Sequence, residues 1–194
     1  MLVSTMSLTE MRDECLKEVQ HYLDVAMIKY KQALRFRNKN VNKEFVFKTK
    51  RNNNLLIRIE LEKSKLIAYP YFWYYDDNGL AVIFMFDEFN IFVYRGHVIK
   101  RIIERFRLAY NPEVLIRTLD KLIFWGATSE RDENDEFHII NKNGVIYYKF
   151  VDSGICVAKT FISCEQLTNK KFEILKKEAE EYYSKKLNNF SEEQ

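Results

Sequence analysis

Between Ser7 and Leu34 the apolar residues recur at steps of three and four, and from Phe45 onward the step becomes two. This change of period is the strongest constraint the sequence places on its fold, because side chains repeat every 3.6 residues along a helix face and every second residue along a strand face. Ser7-Leu8-Thr9-Glu10 forms a capping box ahead of Met11, Cys15, Val19, Tyr22, Leu23, Ala26, Tyr30 and Leu34. A long first helix is expected, ending near Arg37 to Asn40, where Asn-Lys-Asn breaks the pattern and Arg35 and Arg37 suit a helix C-terminus. His21 has no ligand partner one turn on and reads as a surface or interface residue.

The period-two segments Phe45 to Thr49 and Leu55 to Leu61 read as strands joined by the turn Arg51-Asn52-Asn53-Asn54. Lys39, Lys43, Lys48, Lys50, Arg51 and Arg58 crowd this hairpin. They suit a nucleic-acid path, and equally the solvated edge of a sheet, where lysine prevents edge pairing. Tyr69-Pro70-Tyr71-Phe72-Trp73-Tyr74-Tyr75 leads through Asp76-Asp77-Asn78-Gly79 into Leu80 to Phe86, and Asn-Gly between two apolar runs is a strong hairpin signal. These aromatics serve either for packing or as a stacking platform for bases. A short strand from Asn90 to Tyr94 follows.

The next stretch, His97-Val98-Ile99-Lys100-Arg101-Ile102-Ile103-Glu104-Arg105-Phe106, is a helix by its spacing. At about 100° per residue, His97, Arg101, Glu104 and Arg105 share one side, and Val98, Ile99, Ile102, Ile103 and Phe106 the other. An imidazole beside two guanidiniums is equipment for holding a phosphate and moving a proton near neutral pH. Asn111-Pro112 opens another helix with an N-cap and a proline at its first position, carrying Val114, Leu115, Leu119, Leu122 and Ile123. It stops near Trp125-Gly126. Beyond an acidic loop, Ser129 to Asp135, come Glu136 to Asn141, Val145 to Val151 and Ile155 to Ile162, turned at Asn143-Gly144 and Ser153-Gly154. A closing helix, Leu167 to Leu187 with Thr168 as cap, and a frayed tail from Asn188 to Gln194 complete the chain.

The expected fold class is therefore α+β: antiparallel sheet with a long N-terminal helix, two central helices, a C-terminal three-stranded meander and a closing helix. The expected division is a module of helix and aromatic-rich sheet over 1–90 and a helix-helix-meander module over 91–194. At 194 residues with five Gly and two Pro, the chain is long enough for a real core and short of flexible linkers. Its net charge of +3 balances 31 basic against 28 acidic residues, so nucleic-acid contact must come from local clustering. Three cysteines without C-x-x-C spacing argue against a disulfide framework or zinc site and for a reducing, cytoplasmic setting. No apolar stretch approaches about 18 residues, so no membrane association is expected.

The order His97-x-x-x-Arg101-x-x-Glu104-Arg105, second helix, break at Trp125-Gly126 and meander ending in Val157-Ala158-Lys159-Thr160-Phe161 resembles the small-nuclease superfamily of RelE-type and BrnT-type toxins and barnase-like and colicin-like RNases. The resemblance covers roughly the middle third of the chain. It implies a metal-independent endoribonuclease, as a toxin or a phage or mobile-element factor, that needs no cofactor. His97, Arg101 and Arg105 become the matched catalytic residues and Thr160 the matched residue of the final strand.

Metal-free cleavage of RNA requires a base, an acid and cations for the developing phosphorane charge. His97 supplies base or acid and Arg101 and Arg105 clamp phosphate. Lys159 is a further cation if its strand face turns toward the helix, and His138 is the candidate second acid. Glu104 is placed to orient an arginine. The competing reading is a non-enzymatic structural or interaction domain, with a protein partner or a second copy in place of RNA, or a nucleic-acid binder that does not cut.

Overall fold

The computed structural model describes residues 1–35, 43–62, 65–87, 89–124, 127–141, 143–177 and 180–181. The expected end of the first helix, Lys39, the break at Trp125-Gly126 and the chain after 181 lie outside these residues. The chain is α+β and falls into two compact units, 1–96 with the turn 152–155, and 97–151 with 156–194. The short strand expected to open the second module thus belongs to the first unit.

In the first unit, α1 (Leu8–Arg35) begins at the expected capping box. The Glu10 amide donates to Ser7 Oγ at 3.2 Å and the Ser7 amide to Glu10 Oε2 at 2.7 Å. Met11, Cys15, Val19, Ala26 and Tyr30 are buried along one face, which lies against β1 (Lys43–Lys48), β2 (Asn54–Glu62) and β3 (Lys65–Asp76). With β4 (Gly79–Met85) and β5 (Ile91–Tyr94), these strands pair antiparallel in chain order. Leu55, Leu56 and Ile57 are all fully buried. Since neighbouring strand residues face opposite ways, both faces of the sheet are covered there. The aromatic run packs as well as pairs: the ring of Tyr71 stacks on that of Phe84 at 4.8 Å, and both are fully buried.

The hairpin turn after β1 is latched to α1 by two carboxylates one helical turn apart. Glu18 accepts from Thr49 Oγ1 at 2.5 Å, the Arg51 amide at 2.9 Å and Asn53 Nδ2 at 2.7 Å. Glu14 accepts from the Met1 α-amino group and Arg51 Nη1, both at 2.8 Å, and from Asn53 Nδ2 at 3.2 Å. Both side chains are buried, and paired buried charge is tolerated only with such saturation of the carboxylate oxygens. Burial alone would push the Glu14 carboxyl up, but the α-amino group, Asn53 and Arg51 outweigh it and hold it below its ordinary 4.5. A depressed carboxyl stabilises the fold fully above its unfolded value and loses that contribution as pH falls through the folded one. Thermal midpoints are therefore expected to drop as pH is lowered from 4.5, with a shallower drop in Glu14→Gln.

Within the first unit, Gly96 is a close-approach glycine. Its amide donates to Asp76 Oδ2 at 2.9 Å, and a Cβ there would stand 2.3 Å from Asp76 Oδ1 and 2.7 Å from the Asn78 carbonyl carbon. The turn 152–155 is tied to the first unit by Thr9 Oγ1 to Asp152 at 3.2 Å, Arg12 to the Ser153 carbonyl at 2.8 Å and the Ile91 amide to the Gly154 carbonyl at 2.8 Å.

In the second unit, α2 (Gly96–Phe106) buries Val98, Ile99 and Ile102, the expected apolar side. In α3 (Pro112–Phe124) Asn111 Oδ1 accepts from the Glu113 and Val114 amides at 2.9 and 3.2 Å, the expected cap. The meander of β7 (Glu136–Asn141), β8 (Gly144–Asp152) and β9 (Ile155–Ser163) has a further strand beside β7, β6 (Ala127–Thr128), giving the order β9-β8-β7-β6. So short a strand carries no readable period. The chain is again helical over 169–177, where the Lys171 amide donates to Thr168 Oγ1 at 3.3 Å. Phe172 and Leu175 of that helix pack on Ile140, Val145 and Leu167. Among the described residues no helix is long and apolar enough to cross a membrane.

Candidate functional site

The apolar stripe of α2 fixes which side chains face outward. His97, Lys100, Arg101, Glu104 and Arg105 are exposed, followed by exposed Arg107. This face carries Lys100, Arg101, Arg105 and Arg107 against the lone carboxylate of Glu104. The helix is held to β9 by three contacts of different kinds. The ring of Phe106 stacks on Phe161 at 5.5 Å, Arg101 Nη1 donates to Thr160 Oγ1, and His97 Nε2 lies 3.1 Å from the Lys159 carbonyl oxygen. A carbonyl only accepts, so Nε2 carries a proton and Nδ1 remains the acceptor of the neutral ring.

Arg107 ends the helix in the left-handed region, at φ 49°, and the Leu108 amide closes back onto the Ile103 carbonyl at 3.0 Å. That position normally takes glycine. Arg107→Gly is expected to stabilise the protein by about 1 kcal/mol, read as a rise in the urea midpoint, while removing one cation from this face.

The expected residues divide. His97, Arg101 and Thr160 come together, and Arg105 lies on the same exposed face without a partner among the described residues. Lys159 does not join them through its side chain. Thr160 meets Arg101, while the Lys159 ammonium pairs with Glu136 Oε1 at 2.5 Å. Only the Lys159 carbonyl reaches His97. His138 is buried in β7, its ring 5.7 Å from that of Tyr147 and its amide donating to Ser129 Oγ at 3.0 Å. Glu136, 31% exposed in its side chain, is the carboxylate that sequence reasoning overlooked. Its place at the head of a strand gave no signal of the cation it would meet.

Two cations of the basic hairpin are paired within the first unit, Arg51 with Glu14 and Arg58 with Glu60, and in α1 Lys29 sits 5.3 Å over the ring of Phe47. Burial and the neighbouring Glu14 and Glu18 push the Cys15 thiol well up, and burial pushes Cys156 to about 12, so neither is a thiolate nucleophile at neutral pH. Among the described residues no three His, Cys, Asp or Glu side chains gather as a metal site.

No family model matches the chain, and no curated protein and no solved structure is significantly similar to it.

Proposed function

We propose that the α2–β9 face of the second unit binds the backbone of single-stranded RNA and cuts it without metal. The observation that carries this reading is the His97 contact with the Lys159 carbonyl, at 3.1 Å, on a helix face rich in guanidinium. It fixes the ring and assigns its basic nitrogen. Arg101, steadied by Thr160, and Arg105 hold the phosphate oxygens, on which negative charge grows during attack. Nδ1 takes the 2′-hydroxyl proton, the 2′-oxygen bonds to phosphorus, and the 5′-oxygen departs with the proton that Nδ1 returns. The products are a 2′,3′-cyclic phosphate and a 5′-hydroxyl. The resemblance to small nucleases, which includes these residues, points the same way.

A second reading, binding without cleavage, draws support from the Lys159–Glu136 pair and from the burial of His138. The first removes a cation for the phosphate and the second removes the candidate second acid, groups that cleavage would use. Labelled single-stranded RNA incubated with the protein in EDTA separates the readings. Fragments support the nuclease; retention of intact RNA that weakens with salt and with Arg101→Ala supports the binder. No fragments and no retention overturn both and leave an interaction domain.

A further inference from the structure

Two features of the first unit that lie far apart in sequence, the basic hairpin and the aromatic run, meet across the sheet. The strand register sets Lys48 opposite Asn54 and Asn54 opposite Trp73. Residues directly opposite share a face, so ammonium, amide and indole stand in one row, and Tyr75, two residues beyond Trp73, joins them. Lys48 Nζ donates to Asn54 Oδ1 at 3.0 Å and Asn54 Nδ2 to the Trp73 carbonyl at 3.3 Å. A hollow of about 320 Å³ opens here, lined by Lys48, Asn52, Asn54, Trp73 and Tyr75 together with residues 1–4. Tyr75 is 57% exposed and Trp73 partly so.

We infer that this hollow binds one nucleotide, its base against the indole and phenol and its phosphate on Lys48. The lining bears an ammonium and no carboxylate, which selects an anion. Exposed aromatic faces beside a cation are how proteins hold an unpaired base and its phosphate. Asn54 keeps an amide N–H beyond the one given to Trp73, and Asn52 is exposed, so side-chain amides are at hand for the edge of the base. Another hollow of this unit, about 410 Å³, has the opposite chemistry. Leu16, Val19, Leu23, Pro70, Met85 and Phe86 line it, and its one carboxylate, Asp87, is already accepting from the Phe89 and Asn90 amides.

The ligand is either a free mononucleotide or one unit of a single strand, and tryptophan fluorescence distinguishes them. The full chain is titrated at low salt with adenosine and uridine monophosphates, with an oligoribonucleotide, and with inorganic phosphate. Quenching by a mononucleotide assigns a free nucleotide; quenching by the oligonucleotide alone assigns a strand. Trp73 is one of two tryptophans, so Trp73→Phe should lose most of the signal change. Lys48→Gln, at an exposed position, should weaken binding at least tenfold and flatten its salt dependence. The proposal is overturned if neither nucleotide nor oligonucleotide quenches, if phosphate alone quenches equally, or if Lys48→Gln binds as tightly as the parent; this last variant decides the matter should Trp73→Phe fail to fold. This site goes beyond the ribonuclease reading and shares no residue with it. His97→Ala should leave the mononucleotide titration unchanged, so either proposal can fail alone.

Discussion

His97→Ala is expected to lower the rate of RNA cleavage about 10²–10⁴-fold, the usual worth of a positioned proton-transfer group, with little change in melting temperature. The ring is exposed and makes one surface hydrogen bond, to the Lys159 carbonyl at 3.1 Å. Such a bond contributes only about 0.5–1.5 kcal/mol. His97→Gln sharpens the test, because the glutamine amide can donate to the same carbonyl yet takes no proton at neutral pH. It should hold α2 in place and still fail to cut. A gel time course in EDTA beside a thermal melt checks both variants. If the alanine variant cuts normally, His97 is no proton-transfer group; if it unfolds, its role is structural.

Glu18→Ala should destabilise the protein by about 3 kcal/mol, measured by urea denaturation. The carboxylate is buried and receives the Thr49 hydroxyl, the Arg51 amide and the Asn53 side chain. Alanine strands these donors where water has little access, and unmade buried hydrogen bonds cost more than made ones contribute. Glu18→Gln retains an acceptor oxygen and should lose less. Hydrogen exchange at the Arg51 amide should accelerate in the alanine variant. A variant as stable as the parent would mean that the Glu18 carboxylate does not hold the hairpin to α1.

Much of the fold was legible because local signals and tertiary packing agree. The capping box at Ser7 and Glu10, the cap at Asn111 and the strands around Asn78-Gly79 each state their structure within a few residues. The latch was legible too, though unread: Glu14 and Glu18 lie three residues beyond Met11 and Cys15, on the stripe that faces the core. Carboxylates in that register announce buried partners. The diversion of Lys159 was not legible, because the Glu136 carboxylate that takes its ammonium lies on another strand, 23 residues away in sequence. The burial of His138 follows from its place inside a covered β7, which no local pattern declares. The row from Lys48 through Asn54 to Trp73 was not legible at all. It depends on the registers of two hairpins, and a shift by one residue would turn every side chain to the other face.

The most direct test of the cleavage chemistry uses an oligodeoxynucleotide carrying a single internal ribonucleotide, incubated with the protein in EDTA. The account predicts one cut, immediately 3′ of the ribonucleotide, leaving a 2′,3′-cyclic phosphate and a 5′-hydroxyl, and no cut in the all-DNA strand. An intact mixed strand under conditions that cleave RNA, a cut in the all-DNA strand, or ends of another kind would contradict it.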